Sequence, residues 1–137
     1  MPDWKLWREM AEGSLRSADC LFEIEPSSKF FRSAISRYYY ASFQAATSFL
    51  LYSGLTPPDG DEGWSHMSTP RLLGENSAKI LDNRLAKSIS ANLHDLYNLR
   101  LLADYRSEAL AERDENKVRE AAKKAKFIIR EIFSVLE

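Results

Sequence analysis

The stretch that most constrains the fold is residues 29–53, "KFFRSAISRYYYASFQAATSFLLYS". At about 100° per residue, Phe31, Ile35, Tyr38, Ser42, Ala45, Phe49 and Tyr52 share one helical face. Phe30, Ala34, Ala41 and Ala46 widen that face. A helix apolar over so much of its circumference must be covered on several sides, which makes it the central element of a bundle. Its small residues, Ala41, Ser42, Ala45 and Ala46, let neighbours approach closely. The aromatic and β-branched content would also suit a strand, but the length and the 3–4 spacing favour a helix.

The remaining segments supply the partners. Residues 3–24 repeat Trp4, Trp7, Ala11, Leu15, Ala18 and Phe22 at helical spacing, and "EPSSK" then breaks the chain, with Ser27 or Ser28 able to cap the central helix. "SGLTPPDGDEGWS" reads as a loop. Thr69-Pro70 is a cap followed by proline at the first helical position, opening a short helix that Gly74 is expected to close. A long helix is expected over 78–104, with Leu85, Ile89, Leu93 and Leu96 in its stripe. A last one over 114–136 shows Val118, Ala122, Ala125, Ile129, Ile132 and Leu136, with Asp114 as a cap. No strand pattern or internal repeat competes. The expected fold is all-α, an antiparallel bundle of four main helices plus one short helix, as a single domain over 1–137.

Composition limits the function classes. A net charge of −1 gives no whole-protein basic field for non-specific nucleic-acid binding, although a local patch is compatible with it. Cys20 is the single cysteine, which excludes an internal disulfide and suggests a small buried thiol. The apolar runs are too short to span a bilayer, and "MPDWKLWREM" is charged and amphipathic, unlike a secretory signal. No membrane association and a cytoplasmic location are therefore expected.

The residue that asks for an explanation is Arg100, in "YNLRLLADYR". It projects within about 20° of Leu93 and about 40° of Leu96, on the apolar side of its helix. A guanidinium stays charged and is costly to remove from water without a partner. Asp104, four residues on, can pair with it along the helix. Two readings stay open: a self-satisfied ion pair that only closes the bundle, or a polar notch between helices where Arg100 grips a phosphate or ribose oxygen. Ser33 and Arg37, at the edge of the central helix's apolar face, are the candidates to share such a notch. Tyr38, Tyr39 and Tyr40 point about 100° apart and cannot form one stacking platform. Tyr38 lies on the core stripe, and one of the other two lines the notch or an interface.

"RSAISRYYYASFQAATSFLLYSGL", together with "LYNLRLLADYR" and "SHMSTPRLL", resembles the HEPN superfamily of small helical bundles, most closely its stand-alone prokaryotic members. The shared pattern is a serine- or asparagine-arginine before a run of tyrosines and alanines, then an arginine, two residues and Ala-Asp-Tyr. Many HEPN proteins are metal-independent ribonucleases bearing Arg-x4–6-His, often within toxin–antitoxin systems. Arg100 matches the arginine, but Tyr105 stands where the histidine should begin and His94 lies upstream. A phenol with a reference pKa near 10 transfers protons poorly at neutral pH.

The resemblance therefore implies the pocket without the nuclease: a homodimer with a shared groove that binds a nucleotide or RNA phosphate, or pairs with a small nucleotidyltransferase. The alternatives are a ribonuclease toxin with a degenerate Arg100-x4-Tyr105 motif and a purely structural interaction domain. The candidate ligand-binding set is Arg100, Asp104, Tyr105, Ser33, Arg37 and Tyr40.

The other features have plainer readings. His66, in "WSHMS", suits a surface or capping role, and His94 a helix edge. Trp4 and Trp7 suit the core or a dimer interface. Lys123, Lys124 and Lys126, interleaved with acids, read as a solvated helix face that offers at most a modest patch for RNA or an acidic partner. No metal-ligand spacing, Gly-rich phosphate loop or Ser-His-Asp order occurs, so no metal or cofactor is expected.

Overall fold

The computed structural model describes residues 3–24, 30–105 and 115–136. Helix α1 spans Trp4–Ile24, α2 Phe31–Tyr52, α3 Thr69–Ser77, α4 Asn83–Tyr105 and α5 Glu115–Phe133, and the described residues contain no strand. This is the all-α bundle of four main helices and a short fifth. The central helix is α2, which packs against α1, α3, α4 and α5. Its buried side chains run around the helix from Phe31 and Ile35 through Tyr38 and Tyr39 to Phe49 and Leu50, as its broad apolar circumference demands.

Several polar groups inside the bundle find partners across helices. The Ser48 hydroxyl donates to the Trp4 carbonyl (2.7 Å), and Ser14 donates to the Gln44 side-chain carbonyl (2.7 Å), fastening α1 to α2. Tyr38, fully buried, donates its hydroxyl to Asp19 of α1, and Lys126 of α5 reaches the same carboxylate at 3.3 Å. A phenol, a carboxylate and an ammonium thus tie three helices at one point. Trp4 sits half-buried, edge-on to Tyr52.

Three expectations need correction. Gly74 does not close the short helix: α3 runs on to Ser77, and Gly74 is where α4 crosses it. A Cβ at Gly74 would stand 3.1 Å from the Ser90 Cβ, so the missing side chain serves the crossing rather than a stop. The start of α4 is Asn83 rather than 78, because Asp82 caps it, accepting from the Leu85 amide at 2.9 Å. Cys20 is exposed, since it projects from the side of α1 opposite Ala11 and Ala18. The proposed caps Ser27, Ser28 and Asp114 lie outside the described residues. Gly74→Val is expected to lower stability by about 1–3 kcal/mol, read as a drop in denaturation midpoint, because the branched side chain must push α4 off α3.

Candidate functional site

The last turns of α4 lie against the first turns of α2, and Arg100 sits in the seam. Its side chain is 13% exposed, and its Nε donates to Asp104 Oδ2 at 3.0 Å. The guanidinium carbon stands 5.3 Å from the ring centre of Tyr40 and 5.8 Å from that of Tyr39, so both aromatic faces belong to α2. The arginine is therefore taken in by the neighbouring helix rather than released to solvent. The i,i+4 pair is formed, and its acid, Asp104, lines a cleft between the two helices.

That cleft encloses about 340 Å³ and is lined by Arg32, Ser33, Ser36, Arg37, Tyr40 and Asp104. The structure thus brings Ser33, Arg37, Tyr40 and Asp104 together, with Arg100 behind Asp104. The side chain of Tyr105 lies outside the described residues. Arg32 and Ser36 were not among the expected residues, although four-residue steps from Tyr40 along α2 lead to both. Arg32 donates to the Ala103 carbonyl at 2.8 Å, pinning the end of α4 to the start of α2. The Ser36 hydroxyl faces Asp104 Oδ2 at 3.5 Å. Arg37 is exposed and makes no ion pair among the described residues. Among the described residues, the guanidiniums of Arg32 and Arg37, the Asp104 carboxylate and two serine hydroxyls line the cleft, with Arg100 paired to that carboxylate, a chemistry suited to an anion with several acceptor oxygens.

The residue that sequence reasoning missed is His66. It does not cap a helix at the surface. Its ring packs on Phe43 (4.4 Å between centres), stacks on Tyr97 (5.9 Å, 17° between planes), and shares a hydrogen bond between Nδ1 and the Tyr39 hydroxyl. Burial first, and then the nearby Arg100 charge, push its pKa below the usual 6.5. Tyr39 is itself pushed upward, chiefly by burial against the weaker opposing pull of Arg100, and so remains a phenol. No periodicity links a loop residue at 66 to positions 39 and 100; the only signal in the sequence is the aromatic excess on α2 that needs covering.

Depressed His66 disfavours the proton in the folded state, so the unfolded chain binds more protons below about pH 6.5. Its contribution is full above that pH and is lost as pH falls toward the folded value. Wild type should lose stability as pH falls below about 6.5, and His66→Gln should flatten that part of the curve; urea midpoints across the range check it.

The geometry defines a class: a small helical bundle with a cationic notch where two of its helices meet. The HEPN domain family model matches residues 4–135, nearly the whole chain, and the protein belongs to that family. A search of the curated proteins finds no match. No helix among the described residues is long and apolar enough to cross a membrane, and none of their His, Cys, Asp and Glu side chains form a group able to hold a metal ion.

Proposed function

We propose that this HEPN protein is a non-catalytic binding module that holds the phosphate of a nucleotide or of RNA in the α2–α4 cleft. The supporting observation is that Arg32 and Arg37 line a cleft together with Asp104, the carboxylate among its described lining residues, and that Arg100 holds that carboxylate. In this reading Arg37 and the Ser33 and Ser36 hydroxyls meet the phosphate directly. Arg100, steadied on Tyr39 and Tyr40, exchanges part of its bond to Asp104 for a phosphate oxygen. The protein works as a homodimer, with the two clefts facing across the two-fold, and as the partner of a small nucleotidyltransferase in a toxin–antitoxin-like pair, as the family resemblance implies.

The cleft is tested by thermal shift with adenosine, AMP and ADP. The phosphorylated ligands should raise the melting temperature and adenosine should not. Arg37→Ala should weaken ADP by about tenfold or more, the value of one charge-assisted hydrogen bond. Equal shifts for adenosine and ADP would remove the phosphate from the proposal. Light scattering at micromolar concentration checks the dimer, and co-elution with a nucleotidyltransferase encoded in the adjacent reading frame checks the partner.

One observation favours a second reading, RNA cleavage without metal: His66 lies beside Arg100 although it is absent from the local motif. There the 2′-hydroxyl attacks the adjacent phosphorus, its proton passes to His66, and the 5′-oxygen leaves and is protonated, giving a 2′,3′-cyclic phosphate and a 5′-hydroxyl. The Tyr39 hydroxyl engages His66 Nδ1, so Nε2 is the nitrogen left to face an RNA 2′-hydroxyl. Binding is favoured over cleavage because Tyr105 stands where the Arg-x4–6-His pattern would begin its histidine. RNA cut by wild type in EDTA, but not by His66→Gln, would reverse the order.

A further inference from the structure

A second cationic surface lies away from the cleft, between α4 and α5. Along α5, Arg119, Lys123, Lys126 and Arg130 follow one another at steps of four, three and four residues, which keeps all four on one exposed stripe. At 1.5 Å per residue the stripe is about 16 Å long. Beside it runs a groove of about 720 Å³ lined by Lys123, Lys124, Lys126, Phe127 and Arg130, with Glu120 as the acid among its described lining residues. Ser88 and Asn92 of α4 form the facing wall.

The cations differ in what already holds them. Lys124, whose side chain is 20% exposed, is fixed between Asn92 and Asp95 at 3.1 Å each. It shapes the groove. Lys126 reaches Asp19 of α1 and Arg130 reaches the adjacent Glu131, and both cationic side chains stay more than half exposed, open to a further anion. Lys123 makes no ion pair among the described residues. The Arg130 guanidinium lies 5.8 Å from the centre of the Phe127 ring, so a planar cation and a half-buried aromatic stand together in the wall.

We propose that the α4–α5 groove is a track for single-stranded nucleic acid. Lys123, Lys126 and Arg130 take successive phosphates, Phe127 with Arg130 offers a surface on which an unpaired base stacks, and Ser88 and Asn92 meet sugar or base edges. The concave form and the aromatic wall favour a strand with free base faces over an acidic protein, which would use the charges alone. A lipid surface is disfavoured by the position of the exposed large apolar side chains, Leu6, Met10, Tyr52, Met67 and Ile80, none of which lies on α5. In a chain of net charge −1, such a stripe depends on local placement, not on overall basicity.

The test is fluorescence anisotropy of a labelled oligouridine with the whole protein at 50–200 mM salt. Binding should fall with salt at a log–log slope of about −2, from three phosphate contacts at about −0.7 each. The Lys123→Glu/Lys126→Glu/Arg130→Glu variant should bind at least tenfold more weakly while keeping the ADP-induced thermal shift of the cleft. Lys123→Ala/Arg130→Ala, which spares the Lys126–Asp19 pair, gives the same direction should the reversal disturb folding. Absence of binding at 50 mM salt would overturn the proposal, as would unchanged affinity in both variants. So would a polyglutamate peptide competing as well as RNA at equal charge, which would assign the groove to an acidic protein.

Discussion

Tyr39→Ala is expected to cost about 4 kcal/mol of stability, a fall of about 15 °C in melting temperature, and to remove ligand binding with it. Tyr39 is 1% exposed and lies within ring-contact distance of Tyr40, Phe43, His66 and Tyr97, with Arg100 against its face. Truncation opens a cavity at the junction of α2, α4 and the loop that carries His66, and Arg100 loses the surface that orients it. Tyr39→Phe separates the two contributions. It keeps the ring and removes only the hydroxyl bonded to His66 Nδ1, so about 1–2 kcal/mol should be lost and most of the binding retained. Calorimetric melts of the three proteins, with and without ADP, check both.

Arg100→Met should abolish phosphate-dependent binding, by at least about thirtyfold, while costing only about 1 kcal/mol of stability. The methionine fills much of the same volume against Tyr39 and Tyr40. Asp104, left without its partner, is 28% exposed and can rehydrate. A role confined to closing the bundle predicts the opposite ordering, with stability lost and ADP affinity unchanged. Arg100→Lys keeps the charge but loses the planar fork and should recover only part of the affinity. Urea unfolding beside an ADP titration distinguishes the cases.

The helices were legible because burial imposes a period, and α2 declares its central position by being apolar nearly all round. Arg100 was legible for the same reason: a charge in an apolar stripe requires a partner, and spacing alone put Asp104 within reach. Arg37, Ser33 and Tyr40 came from the same arithmetic on α2, and further steps of four residues lead on to Arg32 and Ser36. Gly74 misled because a glycine near a helix end signals a stop as readily as a close crossing, and only the path of α4 decides between them. His66 was hidden for a deeper reason. Its partners come from two helices far away in sequence, and the loop between Tyr52 and Thr69 has no period from which to read its course.

The most direct measurement is isothermal titration of ADP into the wild-type protein and Arg100→Met. Saturable binding by wild type, lost in a variant that melts within a few degrees of it, is the expected result. Failure of wild type to bind ADP at millimolar concentration, or equal affinity in both proteins, would contradict the assignment of Arg100 to a phosphate site.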